Sequence, residues 1–336
     1  MKPTGKRESR TGTRTGAAAG AAATTAAAVR RLLPSADGPG RVLRGVDGLE
    51  RWSGADWLID AVRKAVQAAP LGAGRDALHG RWLGHPLHPL MVQVPIGTWL
   101  SAAVLDLLPG NRRASRTLIG VGLATAGPAA VAGWTDWADL PKQQQRVGLV
   151  HAAGNITAVA LYAASYAARR RGRVWRGKAL GLAGLSAVMV GGALGGHLAY
   201  RQASGANHAE QVPNMMEPGW HTVGDLADFP VGRAVRSHVG EVAVMVFREP
   251  GGSIHVLADR CSHMAGPLSE GEIDDGCVRC PWHGSVFRLA DGWNVRGPAT
   301  APQPSFDTRV ADGRLEVRLR HLADVTAGAA DTARAG

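Results

Sequence analysis

Four long apolar stretches in the middle of the chain constrain its fold more than any other feature. They cover residues 91–108, 117–134, 147–168 and 179–200. At roughly 18–22 residues each, they are long enough to cross about 30 Å of hydrocarbon as helices. Glycine and alanine are abundant in them, as in GGALGG at residues 191–196. Because small residues let membrane helices approach closely, the sequence predicts a tightly packed four-helix bundle in a membrane.

The charge distribution favours a membrane over a nucleic acid as the partner. Residues 1–204 carry 26 Lys and Arg against 10 Asp and Glu, whereas residues 205–336 carry 12 against 17. The basic excess lies in the N-terminal tail and between the apolar stretches. A nucleic-acid-binding protein places such an excess on a folded surface that faces phosphates. We therefore expect a lipid bilayer as partner and no nucleic acid.

The segments around the bundle differ in composition. The N-terminal tail is basic and alanine-rich, and it lacks the large apolar residues needed for a core. An amphipathic helix follows at about residues 55–69, either lying on the membrane surface or covering one end of the bundle. The predicted organisation is a disordered tail at 1–48, an interfacial helix within 49–74, the four-helix membrane domain at 75–204, a linker at 205–217, a folded C-terminal domain at 218–320 and a disordered tail at 321–336.

Most polar residues of the bundle are expected on one face. In four antiparallel spans, the starts of spans one and three and the ends of spans two and four share a face, and the C-terminal domain follows span four. The residues placed there are His85, His88, Trp134, Asp136, His151 and His197. An ionisable group in a span is a functional candidate. His151 and His197 lie at matching depth and are predicted to bind haem b or a quinone, the alternative being that these histidines only cap helices.

The orientation in the membrane follows from the loops. The two loops opposite the histidine face are rich in arginine, with residues 169–178 alone carrying six Lys and Arg. The positive-inside rule then places the histidine face, the N-terminus and the C-terminal domain outside the cytoplasm. One argument opposes this placement: a basic tail and a metal-loaded domain would both have to be exported across the membrane. We nevertheless favour the extracytoplasmic side, because the arginine-rich loops lie on the opposite face.

The C-terminal domain reads as a small all-β fold with a metal site. Short strands alternate with turns such as Asp312-Gly313. Within it, Cys261-Ser-His263 and Cys280-Pro-Trp-His283 are separated by sixteen residues. The chain has three cysteines in all, which rules out a disulfide framework. A zinc site formed by Cys261, His263, Cys277 and Cys280 is the alternative, but it leaves His283 unexplained.

The order C-x-H followed by C-x-x-H resembles the Rieske iron–sulfur family. The resemblance implies a 2Fe–2S cluster with one iron on Cys261 and Cys280 and the other on His263 and His283. It also implies that electrons leave through the exposed edges of the two imidazoles, and that Cys277 is a buried strand residue. The loops lack the second cysteines of high-potential members, and Phe287 stands where those have a tyrosine. We therefore expect a ferredoxin-type domain with a midpoint in the lower part of the range of about −150 to +300 mV.

The membrane half resembles an uncharacterised bacterial family with a HPLHP motif, present here in ALHGRWLGHPLHPLMVQVPIG at residues 77–97. That resemblance implies no activity. Only sixteen residues follow Arg320, so we expect no oxygenase domain and no complete catalytic site. The sequence predicts a membrane-anchored Rieske protein that carries single electrons between a membrane donor, quinone or haem, and an unidentified acceptor. The alternatives are a ferredoxin-like subunit supplying a separate oxygenase or reductase, and a redox sensor.

Overall fold

The computed structural model describes residues 40–320, and the predicted tails at 1–39 and 321–336 lie outside this range. The chain divides into two compact units, of which the first ends at Asp56. In the first unit, helix α1 covers Arg41–Arg51. This helix overlaps the end of the tail that the sequence analysis places at 1–48, and most of that tail lies outside the described residues. Val42, Val46 and Leu49 lie at helical spacing in the helix, a local period that the average composition of the tail conceals.

The second unit begins with short helices that lead into the membrane segment. These are α2 at Asp56–Ala68, α3 at Gly74–Leu78 and α4 at His88–Met91. Helix α2 is the predicted amphipathic helix, and its Ile59 is fully buried against Trp137, Ala138 and Leu140. It therefore covers one end of the bundle, and its placement in the lipid interface stays a prediction.

Four helical segments are long and apolar enough to cross a membrane, as the sequence predicts. They are His88–Leu107, Arg112–Trp137, Lys142–Arg170 and Val174–Arg201. The first comprises α4 and α5 at Gln93–Leu107, and the second and third are α6 and α7. The fourth comprises α8 at Val174–Gly196 and a π-helical turn at His197–Arg201.

Glycines leave space for large aromatic rings inside the bundle, and this allows the close helix packing that the sequence predicts. The rings of Trp99 and Tyr162 stack with their centroids 4.2 Å apart. A Cβ atom on Gly122 would lie 2.2 Å from Trp99 Nε1, and one on Gly184 would lie 2.9 Å from the Tyr162 ring. Hydrogen there leaves room for the stacked pair, so these glycines set the distance between the helices.

A buried ion pair joins the helices at the arginine-rich end. Arg169 on α7 donates two hydrogen bonds to Asp106 on α5, at 2.5 and 2.8 Å. Both side chains are largely buried, and Ser115 donates to the same carboxylate at 2.8 Å. Burial of a charged pair is costly unless its hydrogen bonds are satisfied, as they are here.

The C-terminal part of the second unit is all-β, as predicted. Strands β1 to β10 are, in chain order, His221–Asp225, Ala234–Val239, Val242–Arg248, Ile254–Ala258, Glu272–Asp274, Cys277–Arg279, Val286–Arg288, Asn294–Arg296, Ser305–Ala311 and Arg314–Leu319. Six of them form a near-closed antiparallel sheet with the order β1-β10-β9-β4-β3-β2. The other four form a second sheet with the order β5-β6-β7-β8.

Two hydrophobic cores stabilise this β-domain, and ion pairs lie on its surface. One core includes Val244, Phe306 and Leu315, and the other contains Met245, Leu268 and Phe287 together with two cysteines. On β9, burial raises the pKa of Asp307, but hydrogen bonds from Arg320 and Arg318 outweigh burial and lower it.

The predicted linker at 205–217 contains a short helix and packs against the β-domain. Helix α9 covers Val212–Met215, and Val212 packs into the first core of the β-domain.

Candidate metal centre

Two loops of the β-domain bring the four predicted ligands together. The first loop, Cys261–Gly266, follows β4, and the second, Cys280–Ser285, connects β6 to β7. Cys261 and Cys280 are 1% and 3% exposed and belong to one core cluster. The two cysteines are far apart in the sequence but lie in the same core, which also contains Met245 from one sheet and Phe287 from the other.

The two loops share one backbone conformation although their sequences differ. In the first, the Cys261 amide donates to the Gly266 carbonyl at 2.9 Å, and the Ala265 amide donates back to Cys261 at 2.7 Å. In the second, the Cys280 amide donates to Ser285 at 2.8 Å, and the Gly284 amide donates to Cys280 at 3.1 Å. The fourth residue after each cysteine is left-handed, with φ of 60° at Ala265 and 74° at Gly284. Each loop thus presents its cysteine in the same way.

The two thiols face each other inside this frame. A hydrogen bond with Cys261, helped by the amides of Trp282 and His283, lowers the pKa of Cys280 to about 7, against the effect of burial. The same thiol–thiol hydrogen bond, followed by burial, raises the pKa of Cys261. Amide donors aimed at a sulfur stabilise a thiolate, which is the form that binds iron.

The two imidazoles form a second pair beside the thiols. The ring centroids of His263 and His283 are 5.0 Å apart and the rings are nearly perpendicular. Burial, and then the neighbouring His283, lowers the pKa of His263 to about 3. Burial lowers the pKa of His283 as well, with a smaller effect of Arg63. Both rings are therefore neutral at physiological pH, as metal ligands must be.

The donor set fits a two-iron cluster better than a single ion. Nδ1 of His263 is buried and has no hydrogen-bond partner, so this nitrogen requires a partner that the protein does not supply. Within residues 40–320, no three of the cysteine and histidine donors here lie within 4.8 Å of one another, as one ion would need. The donors instead form a thiol pair and an imidazole pair, which suits one iron on each. A 2Fe–2S cluster held by Cys261, Cys280, His263 and His283 would supply a one-electron couple.

Cys277 does not join this site. It lies on β6, paired with Arg288 on β7, and its side chain is half-buried rather than fully buried as expected. Burial raises the pKa of its thiol. The predicted strand position is thus observed, and the zinc alternative loses a ligand.

Several buried groups that hold the loops have no signal in the sequence. Gln303 is 1% exposed and donates to the carbonyls of Ala258 and Arg260 at 2.7 Å, while its carbonyl accepts the Ser262 amide at 2.9 Å. Asp259 accepts the Ser269 amide at 2.7 Å. The Gln303 contacts span about forty residues, so no local spacing rule finds them.

The histidines of the membrane half are engaged in hydrogen bonds. His88 Nδ1 donates to the Ala129 carbonyl at 2.8 Å, and its ring lies edge-on to His151 at 6.3 Å between centroids. His151 Nδ1 donates to Gly191 at 2.7 Å, and Nε2 lies 3.1 Å from Asn155 Nδ2. Neither ring nitrogen of His151 is free for haem iron in this arrangement. The predicted pair with His197, which opens the π-helical turn, stays a prediction.

The remaining residues of the predicted histidine face lie as follows. His85 is exposed and donates to the Pro86 carbonyl at 3.0 Å. Trp134 packs edge-on against Trp137 at 5.1 Å. Asp136 accepts a hydrogen bond from Nδ1 of His79 at 3.0 Å. His79 is 2% exposed and was not among the predicted residues, because its partner is 57 positions away.

Comparison with known families agrees with both halves of the chain. Residues 219–307 match the Rieske (2Fe-2S) domain, and residues 84–208 match a predicted membrane protein family, DUF2231. The anthranilate 1,2-dioxygenase ferredoxin subunit of Burkholderia cepacia is 33% identical over 100 residues, which are 30% of this chain and 92% of that protein. The 3-phenylpropionate/cinnamic acid dioxygenase ferredoxin subunit of Escherichia coli K12 is 35% identical over 95 residues, covering 28% of this chain and 88% of that protein.

One solved structure with a similar chain is a complex of reduced oxygenase and oxidized ferredoxin in carbazole 1,9a-dioxygenase. It matches with 30% identity and a TM-score of 0.27, over 30% of this chain and 92% of that chain. The protein belongs to the Rieske family through its C-terminal domain, with a DUF2231 membrane domain in front of it. Its cofactor is a 2Fe–2S cluster, and an electron-transfer role follows for the Rieske domain.

Proposed function

We propose that this protein is a membrane-anchored electron carrier that passes single electrons between a donor in the membrane, a quinone or a haem, and a protein acceptor. The observation that carries the proposal is the pair of equivalent loops holding two thiols and two neutral imidazoles. The four apolar helices support a location in the bilayer. Both redox partners are then other molecules or a cofactor bound by the membrane half.

A decisive experiment reconstitutes the purified protein in liposomes with a reduced quinone. If the proposed function is correct, the quinol reduces the cluster, and the visible absorption of the cluster records this reduction. The control is the Cys280→Ser variant, in which no cluster signal should respond. A cluster that stays oxidised with quinol, yet is reduced by dithionite, contradicts a quinone donor.

The second candidate is a ferredoxin-like subunit that supplies a separate oxygenase or reductase. The two similar proteins described above favour it, since both are ferredoxin subunits of dioxygenases. For this candidate, the protein co-purifies with such an enzyme, and quinol leaves the cluster oxidised. A signalling role as a redox sensor requires a change in the bundle on reduction, which hydrogen exchange of the helices measures.

The proposed site pair His151 and His197 is tested by absorption. Haem bound there gives a Soret band that disappears in His197→Ala, and a preparation without a Soret band removes haem from the proposal. The hydrogen bonds at both nitrogens of His151 count against axial ligation by that ring.

The proposed orientation places the Rieske domain outside the cytoplasm. Arg112, Arg113 and Arg116 at the start of α6 support it, together with the run of arginines around residue 170. Fusion of alkaline phosphatase after Arg320 gives an active enzyme in this orientation and an inactive one in the opposite orientation.

The midpoint potential belongs to the low part of the Rieske range in this proposal. Phe287 is fully buried beside Cys280 and offers no hydrogen-bond donor to a sulfur. Fewer donors leave the reduced, more negative cluster less stabilised. A redox titration is expected to give a value in the lower part of about −150 to +300 mV, and a value near its top refutes the reasoning.

A further inference from the structure

The segment that precedes span one, residues 76–86, is in direct contact with the β-domain; we call it the docking strip. Oδ1 of Asp76 accepts the Gly297 amide at 3.1 Å. Arg81 Nη1 donates to the Asn294 carbonyl at 3.0 Å and also to the carbonyl of Val295. An acid and a base from one short strip thus bind backbone groups of one strand, β8, and of the residue after it.

The residues that the docking strip contacts lie directly next to the second cluster loop. A Cβ atom on Gly297 would lie 2.8 Å from Ser285 Cα and 3.0 Å from the Gly284 carbonyl oxygen, so Gly297 lies directly against that loop. Asn294 is buried and donates to the Ala299 carbonyl at 3.0 Å. The Ala299 amide in turn donates to Ser285 Oγ at 3.1 Å. The docking strip therefore reaches the second loop through one layer of backbone.

The first cluster loop is tied to the other end of the membrane domain. The Ser262 carbonyl, between Cys261 and His263, accepts the His208 amide at 2.9 Å. His208 follows span four by seven residues. Nearby, a Cβ atom on Gly205 would lie 2.9 Å from Cγ of Pro86 in the docking strip. Both loops are thus held by residues that border the spans.

The imidazole edge itself is partly covered, because the side chains of His263 and His283 are both half-buried. His79 lies in the docking strip and is buried between Asp136 and Asp139, with Nε2 3.4 Å from Asp139. Trp282, by contrast, is 54% exposed at the tip of the second loop.

We propose that the docking strip is an intramolecular docking surface that turns the imidazole edge of the cluster toward the membrane domain, with Asp76 and Arg81 as positioning residues. This rests on the proposed function, because it concerns the cluster that this site holds. The edge expected to be open to a diffusing acceptor is half-covered here. A soluble acceptor reaches it only after the contacts at Asp76 and Arg81 break.

The test uses the full-length protein in stacked, oriented membranes, with the cluster reduced. A docked domain holds the cluster at a fixed angle, so its electron paramagnetic resonance lines change with the angle of the sample to the field. The Asp76→Ala/Arg81→Ala double variant is expected to lose this dependence. The matched control Asp307→Ala/Arg318→Ala removes an acid–base pair from strands β9 and β10 and is expected to keep it.

Proteolysis gives a readout that needs no reduced cluster. Arg296 is exposed, but both of its neighbours are held by the docking strip, so trypsin is expected to cut there several-fold faster in the double variant than in wild type or control. Unchanged circular dichroism confirms that the variant is folded. If the wild-type protein gives an intact cluster signal that does not depend on the angle, the docking proposal is refuted but the proposed function is not. A double variant that keeps wild-type angular dependence and cleavage rate also refutes the docking proposal. Absence of any cluster signal refutes the proposed function.

Discussion

The shared left-handed residue of the two cluster loops gives a sharp test of the site's backbone. At Gly284, φ is 74° and nothing lies within 4 Å of an added Cβ atom, so the Gly284→Ala variant meets no steric neighbour. Its cost is the conformational penalty alone, about 1–2 kcal/mol for a residue with a Cβ in this region. For a domain of about 100 residues, 1 kcal/mol lowers the melting temperature by about 4–8 °C.

The assay is thermal loss of the cluster's visible absorption, recorded at one scan rate. Ala265 holds the equivalent position of the first loop with φ of 60°, so Ala265→Gly is expected to raise the melting temperature by about 4 °C. Gly251→Ala is the matched control: this glycine also has open space around it, but its φ is not left-handed. Melting of Gly284→Ala at the temperature of this control would refute the equivalence of the loops.

Three further predictions concern the ligands, the bundle and the surface. Cys280→Ser abolishes the visible spectrum of the cluster whereas Cys277→Ser preserves it, and equal loss in both would contradict the placement of Cys277 outside the cluster site. Arg169→Ala lowers the free energy of unfolding by about 3–5 kcal/mol, because it leaves a buried carboxylate unpaired. SDS titration in mixed micelles measures this free energy, and the variant Arg170→Ala, at an exposed residue, is the control. Equal stability of the two variants contradicts the prediction. Asp307 has a lowered folded pKa, so its contribution is fully present above its unfolded pKa of about 3.9 and is lost as the pH falls through the folded pKa, which lies below that value. Asp307→Asn therefore costs under about 1 kcal/mol at pH 7 in urea unfolding, and this cost shrinks as the pH falls through the folded pKa; a pH-independent cost refutes it.

The sequence was sufficient for features that depend on local patterns. Span length and hydropathy follow directly from bilayer thickness, and all four spans are present at the expected places. The ligand spacing predicted the paired loops because each loop is a local structure, closed by hydrogen bonds within six residues. The all-β character of the domain followed from alternation and turn residues in the same way.

Features that depend on contacts between distant segments were missed. Composition averaged over the tail concealed helix α1, and the linker proved to be docked through Val212. His79 is the clearest example, because its partner Asp136 lies 57 positions away in the sequence. The pairing of His151 with His197 stays a prediction, and the hydrogen bonds of His151 with Gly191 and Asn155 had no signal in the sequence.

The most direct test of the central claim is the content of iron and acid-labile sulfide in protein purified without oxygen. Two irons and two sulfides per chain are expected, together with a visible spectrum that His283→Ala abolishes and Cys277→Ser preserves. One zinc per chain, or a spectrum that His283→Ala leaves intact, contradicts the account.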